Sequence, residues 1–422
     1  MRVSADRATS SPRDRFPPPL RRPLMPTPRS GTLVVKTVDA TLDVVMRDQL
    51  RHLTTTSLAP VTMAAGDTGR LDRVAAREGV PAHALALARD PSPTRDLRAL
   101  LELVRLMRQL RPETVVYGTP KATLLAGVAA RLTGVPTRVQ VLHGLRLETA
   151  HGIWRRLLVA AERLSMTMST HTLAVGHGLR RRCGELGLPT TRIDVVGAGS
   201  VVGTDVARAT AIADDAALRA SVRGRWGLRG DEFVIGFVGR VTRDKGIETL
   251  VRAVADVRDS GIPAHLVLIG LDEGVDLLDD DVRTLLRSDW VTMTGNVDDP
   301  AEQYSGFDVF CLPSHREGLP TVVLEAWATR LPVVASDCTG LADLVAHGQT
   351  GLVVPVGDRR ATGEALRAVA TDRSLRRAIA DGGHRRAVED FDRSVVWDAF
   401  TRYVERARSE RRESRRGRRR RP

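Results

Sequence analysis

Residues 310–325, Phe-Cys-Leu-Pro-Ser-His-Arg-Glu-Gly-Leu-Pro-Thr-Val-Val-Leu-Glu, decide how the chain is read. The apolar run at 308–313 reads as a buried strand, and a helix is expected to start at Gly318-Leu319-Pro320. Pro320 suits the first helical position, because its φ is preset and it has no N–H to leave unbonded. The free backbone N–H groups and positive dipole end of such a helix attract an anion such as a phosphate. Glu317 then precedes the helix and Glu325 falls in its second turn. A carboxylate accepts hydrogen bonds from hydroxyl pairs, so one glutamate suits a sugar and the other a ribose. Two solvated glutamates at a helix start are the bland alternative, and the stretch alone does not choose.

Outward from it, short apolar runs alternate with helical patterns over 32–385, the order of βα units and parallel sheets. One series has strand candidates at 32–37, 60–63, 114–117, 137–142, 172–175 and 192–196. The second begins at 232 and continues at 266–270, 290–295, 308–313, 332–336 and 352–355. A helix is expected over 95–110, with Leu97, Leu100, Leu101, Val104 and Met107 as its sheet-packing face. At 422 residues the chain is too long for one ordinary core and fits two. The expected fold class is α/β, with two Rossmann-like domains at 32–196 and 231–390 facing across a cleft. A glycine-rich interdomain linker with a short helix covers 197–230, a C-terminal helix 391–407, and disordered basic tails 1–31 and 408–422.

The net charge of +13 belongs to the ends: residues 1–31 carry +5 and residues 406–422 carry +8, leaving the body neutral. The charge therefore describes the tails, and no specific nucleic acid is expected. Anionic lipid headgroups are the sharper partner for the tails, at roughly 1 kcal/mol per basic residue near a surface. The N-terminal segment lacks an apolar h-region, no run of about 18 apolar residues occurs, and Cys183, Cys311 and Cys338 show no metal-ligand spacing. A cytoplasmic protein, peripheral at the inner membrane face, is the expectation.

A second stretch, Gly236 to Glu248, joins the first strand of the second series to its helix. Gly239 lets the backbone come close to a ligand, and Arg240 and Lys245 supply two cations. Such a pair can neutralise a diphosphate leaving group without a metal. A charged surface turn is the alternative, and the Glu317 to Glu325 stretch on the same sheet favours the diphosphate.

Together the Gly-Arg…Lys-Gly loop and the Glu-x₇-Glu stretch resemble family 4 glycosyltransferases, retaining enzymes of GT-B fold. Thr119-Pro120-Lys121-Ala122, His143-Gly144-Leu145-Arg146 and Gly199-Ser200-Val201 are similar to the subgroup acting on lipid-linked oligosaccharide and capsule or exopolysaccharide precursors. The resemblance implies that 32–196 takes the acceptor and 231–390 the nucleotide-diphosphate sugar, a UDP-sugar foremost. It implies Arg240 and Lys245 at the diphosphate, Glu317 at the sugar, Glu325 at the ribose and His143 reaching the sugar from the other wall. Backbone at Gly239, Gly318, Leu319, Pro320 and Thr321 would meet sugar and phosphate, and Val297 the base. No metal and no cofactor is implied. Three positions depart from the family: Lys36 to Ala40 lacks paired glycines, Val202 stands where Asn is common, and Asp343 replaces a Glu. Asp279-Asp280-Asp281 has no strand leading in and is assigned no metal. A GT-B-fold nucleotide-sugar epimerase and a non-catalytic, Arg-tailed membrane or nucleic-acid adaptor are the competing readings.

Overall fold

Valine, isoleucine and leucine dominate the strands because helices cover both faces of each sheet. The computed structural model describes residues 29–88, 90, 92–145, 152–228, 230–297 and 299–419. The first sheet holds β1 (Thr32–Val38), β2 (Val61–Gly66), β3 (Ala82–Leu85), β4 (Thr114–Gly118), β5 (Thr137–Leu142), β6 (His171–Ala174) and β7 (Ile193–Asp194), in the order β3-β2-β1-β4-β5-β6-β7. The second holds β8 (Phe233–Val238), β9 (Ala264–Ile269), β10 (Val291–Gly295), β11 (Val309–Leu312), β12 (Val333–Ser336) and β13 (Leu352–Val354), in the order β10-β9-β8-β11-β12-β13. The strand pairings are parallel.

In each sheet the order reverses beside the first strand, between β1 and β4 and between β8 and β11. Ligands of open α/β sheets bind outside the strand carboxyl ends at such switch points. The ends of β1 and β4 carry Lys36 and Thr119, and those of β8 and β11 carry Gly239 and Ser314. The topology thus selects these four neighbourhoods before any side chain is considered.

Two expectations need correction here. The helix expected at 95–110 is Pro93–Leu110, but it buries Ala99, Leu103, Leu106 and Met107 and leaves Leu97 and Leu101 exposed. Its leucines occupy more than one face, so periodicity alone could not select the packed one. The last helix does not stop at 407: it runs Arg393–Arg419, through much of the expected disordered tail. Phe400, Tyr403 and Val404 pack into the core of the first sheet. Arg408 is buried there too, donating to Thr114 Oγ1 (2.7 Å), Thr32 Oγ1 (2.8 Å) and the Ser57 carbonyl (2.8 Å). A guanidinium with that many acceptors is satisfied without solvent. Residues 1–28 and 420–422 of the expected tails lie outside the described residues.

The chain crosses between the two sheets twice, and the crossings are tied together. Thr204 N–H donates to the Phe391 carbonyl at 2.9 Å and Arg393 N–H to the Thr204 carbonyl at 2.8 Å.

Candidate functional site

The end of β11 and the loop after β8 are brought together by a glycine. Gly246 has φ +73°, and a Cβ there would lie 2.0 Å from the Pro313 carbonyl oxygen. Only glycine allows the loop to press so closely on the β11 end. The preceding Lys245 then reaches Glu317, Nζ to Oε1 at 2.6 Å, and Ser314 Oγ donates to the same oxygen at 2.7 Å. Asp244 joins the loops a second time. It accepts from Arg316 Nη2 at 3.1 Å, and its carbonyl accepts from His315 N–H at 2.9 Å.

The helix expected after Gly318-Leu319-Pro320 is Thr321–Ala328. Pro320 lies one position before the expected one: with ψ 110° it is the flanking N-cap residue, and Thr321 is the first helical residue. No side chain caps this N-terminus. Lys245 has three donors, so it can keep Glu317 and still meet an anion held there.

Other expected residues are placed differently. Gly239 ends β8 with its N–H on the Ile269 carbonyl at 2.8 Å. Arg240, next to it, turns to Glu273, Nη1 to Oε2 at 2.9 Å, and not to the Lys245–Glu317 pair. Val297, after β10, is half-buried against the core of the second sheet. Glu325 accepts from the Tyr304 hydroxyl at 2.7 Å, and burial pushes its carboxyl above the usual range. Glu325, Thr321 and Tyr304 line a cavity of about 430 Å³ between the two sheets, opposite Asp43, Val44 and Arg47. Arg47 and Arg208 close on Asp299 at its edge, at 2.6 and 2.8 Å.

His143, just past β5, forms the facing wall. Gly318 packs so tightly on it that a Cβ at Gly318 would lie 1.8 Å from the His143 carbonyl oxygen. Leu319 packs against the cores of both sheets. Asp343, the shortened carboxylate, accepts from Arg181 across the same boundary at 2.7 Å. Of the His143-Gly144-Leu145-Arg146 motif, Arg146 lies outside the described residues. Asp279 and Asp281 of the acidic run are taken up by Arg252.

One residue was missed by sequence reasoning. Lys36, in β1, is buried, with Nζ 3.2 Å from Nε2 of His143. A lysine in a strand normally signals a solvent edge, and the only hint was the absent glycine pair in its loop. Burial brings the Lys36 pKa down to about 8. Burial, then the Lys36 charge, holds His143 well below 6.5. At neutral pH the imidazole is therefore neutral and the ammonium donates to Nε2, leaving Nδ1–H as the free ring donor. That arrangement is lost as pH rises through about 8 and the ammonium deprotonates. In a pH–rate profile the wild type should decline across that range, while Lys36→Met should be flat there and about tenfold slower. An unchanged alkaline limb in the variant would clear Lys36 of the role.

Comparisons with known proteins agree on the fold and the chemistry class. Residues 219–386 match the family described as glycosyl transferases group 1, and residues 42–199 match a glycosyl transferase 4-like domain. The chain is 33% identical to the capsular polysaccharide biosynthesis glycosyltransferase CapM of Staphylococcus aureus, over 75% of this chain and 83% of that one. It is 25% identical to the UDP-Gal:alpha-D-GlcNAc-diphosphoundecaprenol alpha-1,3-galactosyltransferase of Escherichia coli, over 68% of this chain and 74% of that one. Among solved structures, Anabaena HepE in complex with UDP and glucose superposes with a TM-score of 0.75 at 15% identity, covering 89% of this chain and 99% of that one, which bears on the fold alone.

Proposed function

The chain belongs to the family 4 glycosyltransferases of GT-B fold, and on that footing we propose that it moves a sugar, with retention, from a UDP-sugar to a lipid-linked or polysaccharide-precursor acceptor. The observation that carries the reading is the Lys245–Glu317 pair at an uncapped helix start, with His143 facing it across the cleft. Arg240 and Lys245 hold the diphosphate together with the backbone from Gly318 to Thr321. Glu317 meets the sugar hydroxyls, Glu325 the ribose and Val297 the base through its backbone. His143 offers its free N–H to the sugar from the other wall.

The anomeric carbon–oxygen bond to the diphosphate breaks as the acceptor hydroxyl bonds to the same face. The hydroxyl proton passes to the leaving phosphate oxygen. The cations stabilise charge where it develops on that phosphate, and fixed charges aimed in this way usually contribute more to the rate than any other single effect. No carboxylate nucleophile is required. Support for UDP comes from the donor named for the Escherichia coli relative and from the ligand in the HepE structure. Support for a carrier-lipid or capsule acceptor comes from the names of the same relative and of CapM. Among the described residues no helix is long and apolar enough to cross a membrane. We place the reaction at the cytoplasmic face of the membrane, where such acceptors present their headgroups.

Donor turnover measured across UDP-, GDP- and ADP-sugars, with product analysis with and without acceptor, tests the reading. Preference for a UDP-sugar and an α-linked product from an α-donor are expected. Conversion of the donor sugar to an epimer without acceptor would overturn it. Ribose binding has its own check. Only an ionised Glu325 accepts from both ribose hydroxyls, so UDP affinity should fall as pH drops through its raised pKa. Glu325→Gln should bind UDP about tenfold more weakly and lose that pH dependence, as read by calorimetric titration.

A further inference from the structure

Lys36 is a buried cation for which the fold supplies no counter-charge. It is 2% exposed, its Nζ meets His143 Nε2 at 3.2 Å, and among the described residues no carboxylate pairs with it. An ammonium has three donors, and a neutral imidazole nitrogen takes up one of them. Two N–H groups and the whole charge are left to be met. Burial brings its pKa down only to about 8, so at neutral pH the charge is kept. A buried charge without a partner is among the costliest arrangements a fold can hold, and such groups gather at functional sites.

The surrounding backbone is shaped to place it. Val35 pairs with Ala64 and Val38 with Gly66, so β1 carries one residue more than β2 over the stretch that contains Lys36. A bulge of this kind redirects a side chain and is common beside active sites. Gly118, at the end of β4, leaves room for the pair: a Cβ there would lie 2.8 Å from Nε2 of His143 and 3.0 Å from Nζ of Lys36. The two acids that follow Lys36 are committed elsewhere. Asp39 accepts from the N–H groups of Thr68 at 2.8 Å and Arg70 at 2.9 Å, and Asp43 accepts from Arg77 at 2.7 Å and Arg70 at 3.3 Å. The Thr37 and Thr119 hydroxyls bond to each other at 2.7 Å.

In the proposed reaction the diphosphate has Arg240 and Lys245 on the opposite wall. An oxyanion that meets Lys36 beside His143 is then one carried by the sugar that His143 faces. We propose that Lys36 selects the transferred sugar, and that this sugar is a hexuronic acid whose carboxylate accepts from the Lys36 ammonium. The inference rests on the proposed transfer from a UDP-sugar and names the class of that sugar. A neutral hexose offers a hydroxyl at the same place, and a hydrogen bond between two charged groups is roughly twice as strong as one between neutral groups.

Matched donors test it on the full chain. UDP-glucose and UDP-glucuronate differ only in the oxidation state of one carbon, as do UDP-galactose and UDP-galacturonate. Calorimetric titration and donor turnover should favour the acid of at least one pair by about tenfold or more in the wild type. Lys36→Met, of similar length and uncharged, should bring that ratio to about one or below, with UDP affinity and melting temperature unchanged. A role confined to holding His143 would slow both members of a pair alike, so the ratio reads the carboxylate contact itself. Preference for the neutral member of both pairs in the wild type would overturn the proposal and leave the transferase reading standing. An acid preference that survives Lys36→Met would overturn it too. So would equal use of both members, with Lys36→Met slowing transfer to a phosphate-bearing acceptor but not donor hydrolysis, which would put the ammonium on the acceptor. Turnover with another nucleotide alone would count against UDP, and the matched hexose and hexuronate of that nucleotide would then decide the role of Lys36.

Discussion

Lys245→Ala is expected to lower sugar transfer by roughly 10²-fold or more, and Glu317→Ala to do the same. In the proposed reaction Lys245 stands where a negative charge grows on the leaving diphosphate, and its bond to Glu317, at 2.6 Å, holds both side chains in place. A 10²-fold loss corresponds to about 2.7 kcal/mol of barrier, within reach of one preorganised charge. The fold should lose less. With Lys245 gone, Glu317 keeps the Ser314 hydroxyl at 2.7 Å. The two losses should not add, since each partner positions the other. A double variant only slightly slower than either single one is therefore expected. Single-turnover rates and thermal melts together decide. A rate within twofold of wild type for Lys245→Ala, on a protein that still binds UDP, would remove Lys245 from the chemistry.

Gly318→Ala is expected to cost about as much, by a different route. Its backbone is not in the glycine-only region, so alanine is tolerated in the isolated loop. What forbids it is the other wall: the new Cβ would lie 1.8 Å from the His143 carbonyl oxygen and 2.6 Å from the carbonyl carbon, both backbone atoms. The walls must separate by an ångström or more, carrying His143 away from Lys245 and Glu317. Misplacement on that scale costs on the order of 10²-fold. The signature is specific: normal melting, UDP binding retained, turnover lost, and a larger radius of gyration in the UDP complex. Wild-type turnover would show that the contact at Gly318 is not part of the working state.

The contrast between these two sites explains what the sequence could carry. The βα alternation and the Glu317 to Glu325 helix start were legible because strand burial and helix starts are local patterns. Pro320 was misplaced by one position because its fixed φ suits the N-cap and the first helical residue equally. β3, Ala-His-Ala-Leu, lacks β-branched residues and exists through its pairing with β2, which no local pattern reveals. Lys36 and Arg408 were illegible for a shared reason. Each is a cation buried by partners far along the chain, His143 for one and Thr32, Ser57 and Thr114 for the other. The outward-facing Ile153, Leu157 and Leu164 of the helix Gly152–Met168 were hidden too, because apolar residues in sequence read as core until one knows which face the sheet covers.

The tie between Thr204 and the segment Phe391 to Arg393 has a mechanical meaning. Two crossings fastened at one place behave as a pin, which permits rotation and resists sliding or shear. On the proposed reading the halves swing apart about this pin to admit a donor and return to the same register at Gly318. Because the last helix is lodged in the first half, both ends of the folded chain ride on one side of that pin. A fluorophore at Glu413 paired with one on the exposed face of the Arg359–Thr371 helix would report the swing directly, whereas a pair at Ser30 and Glu413 would stay silent.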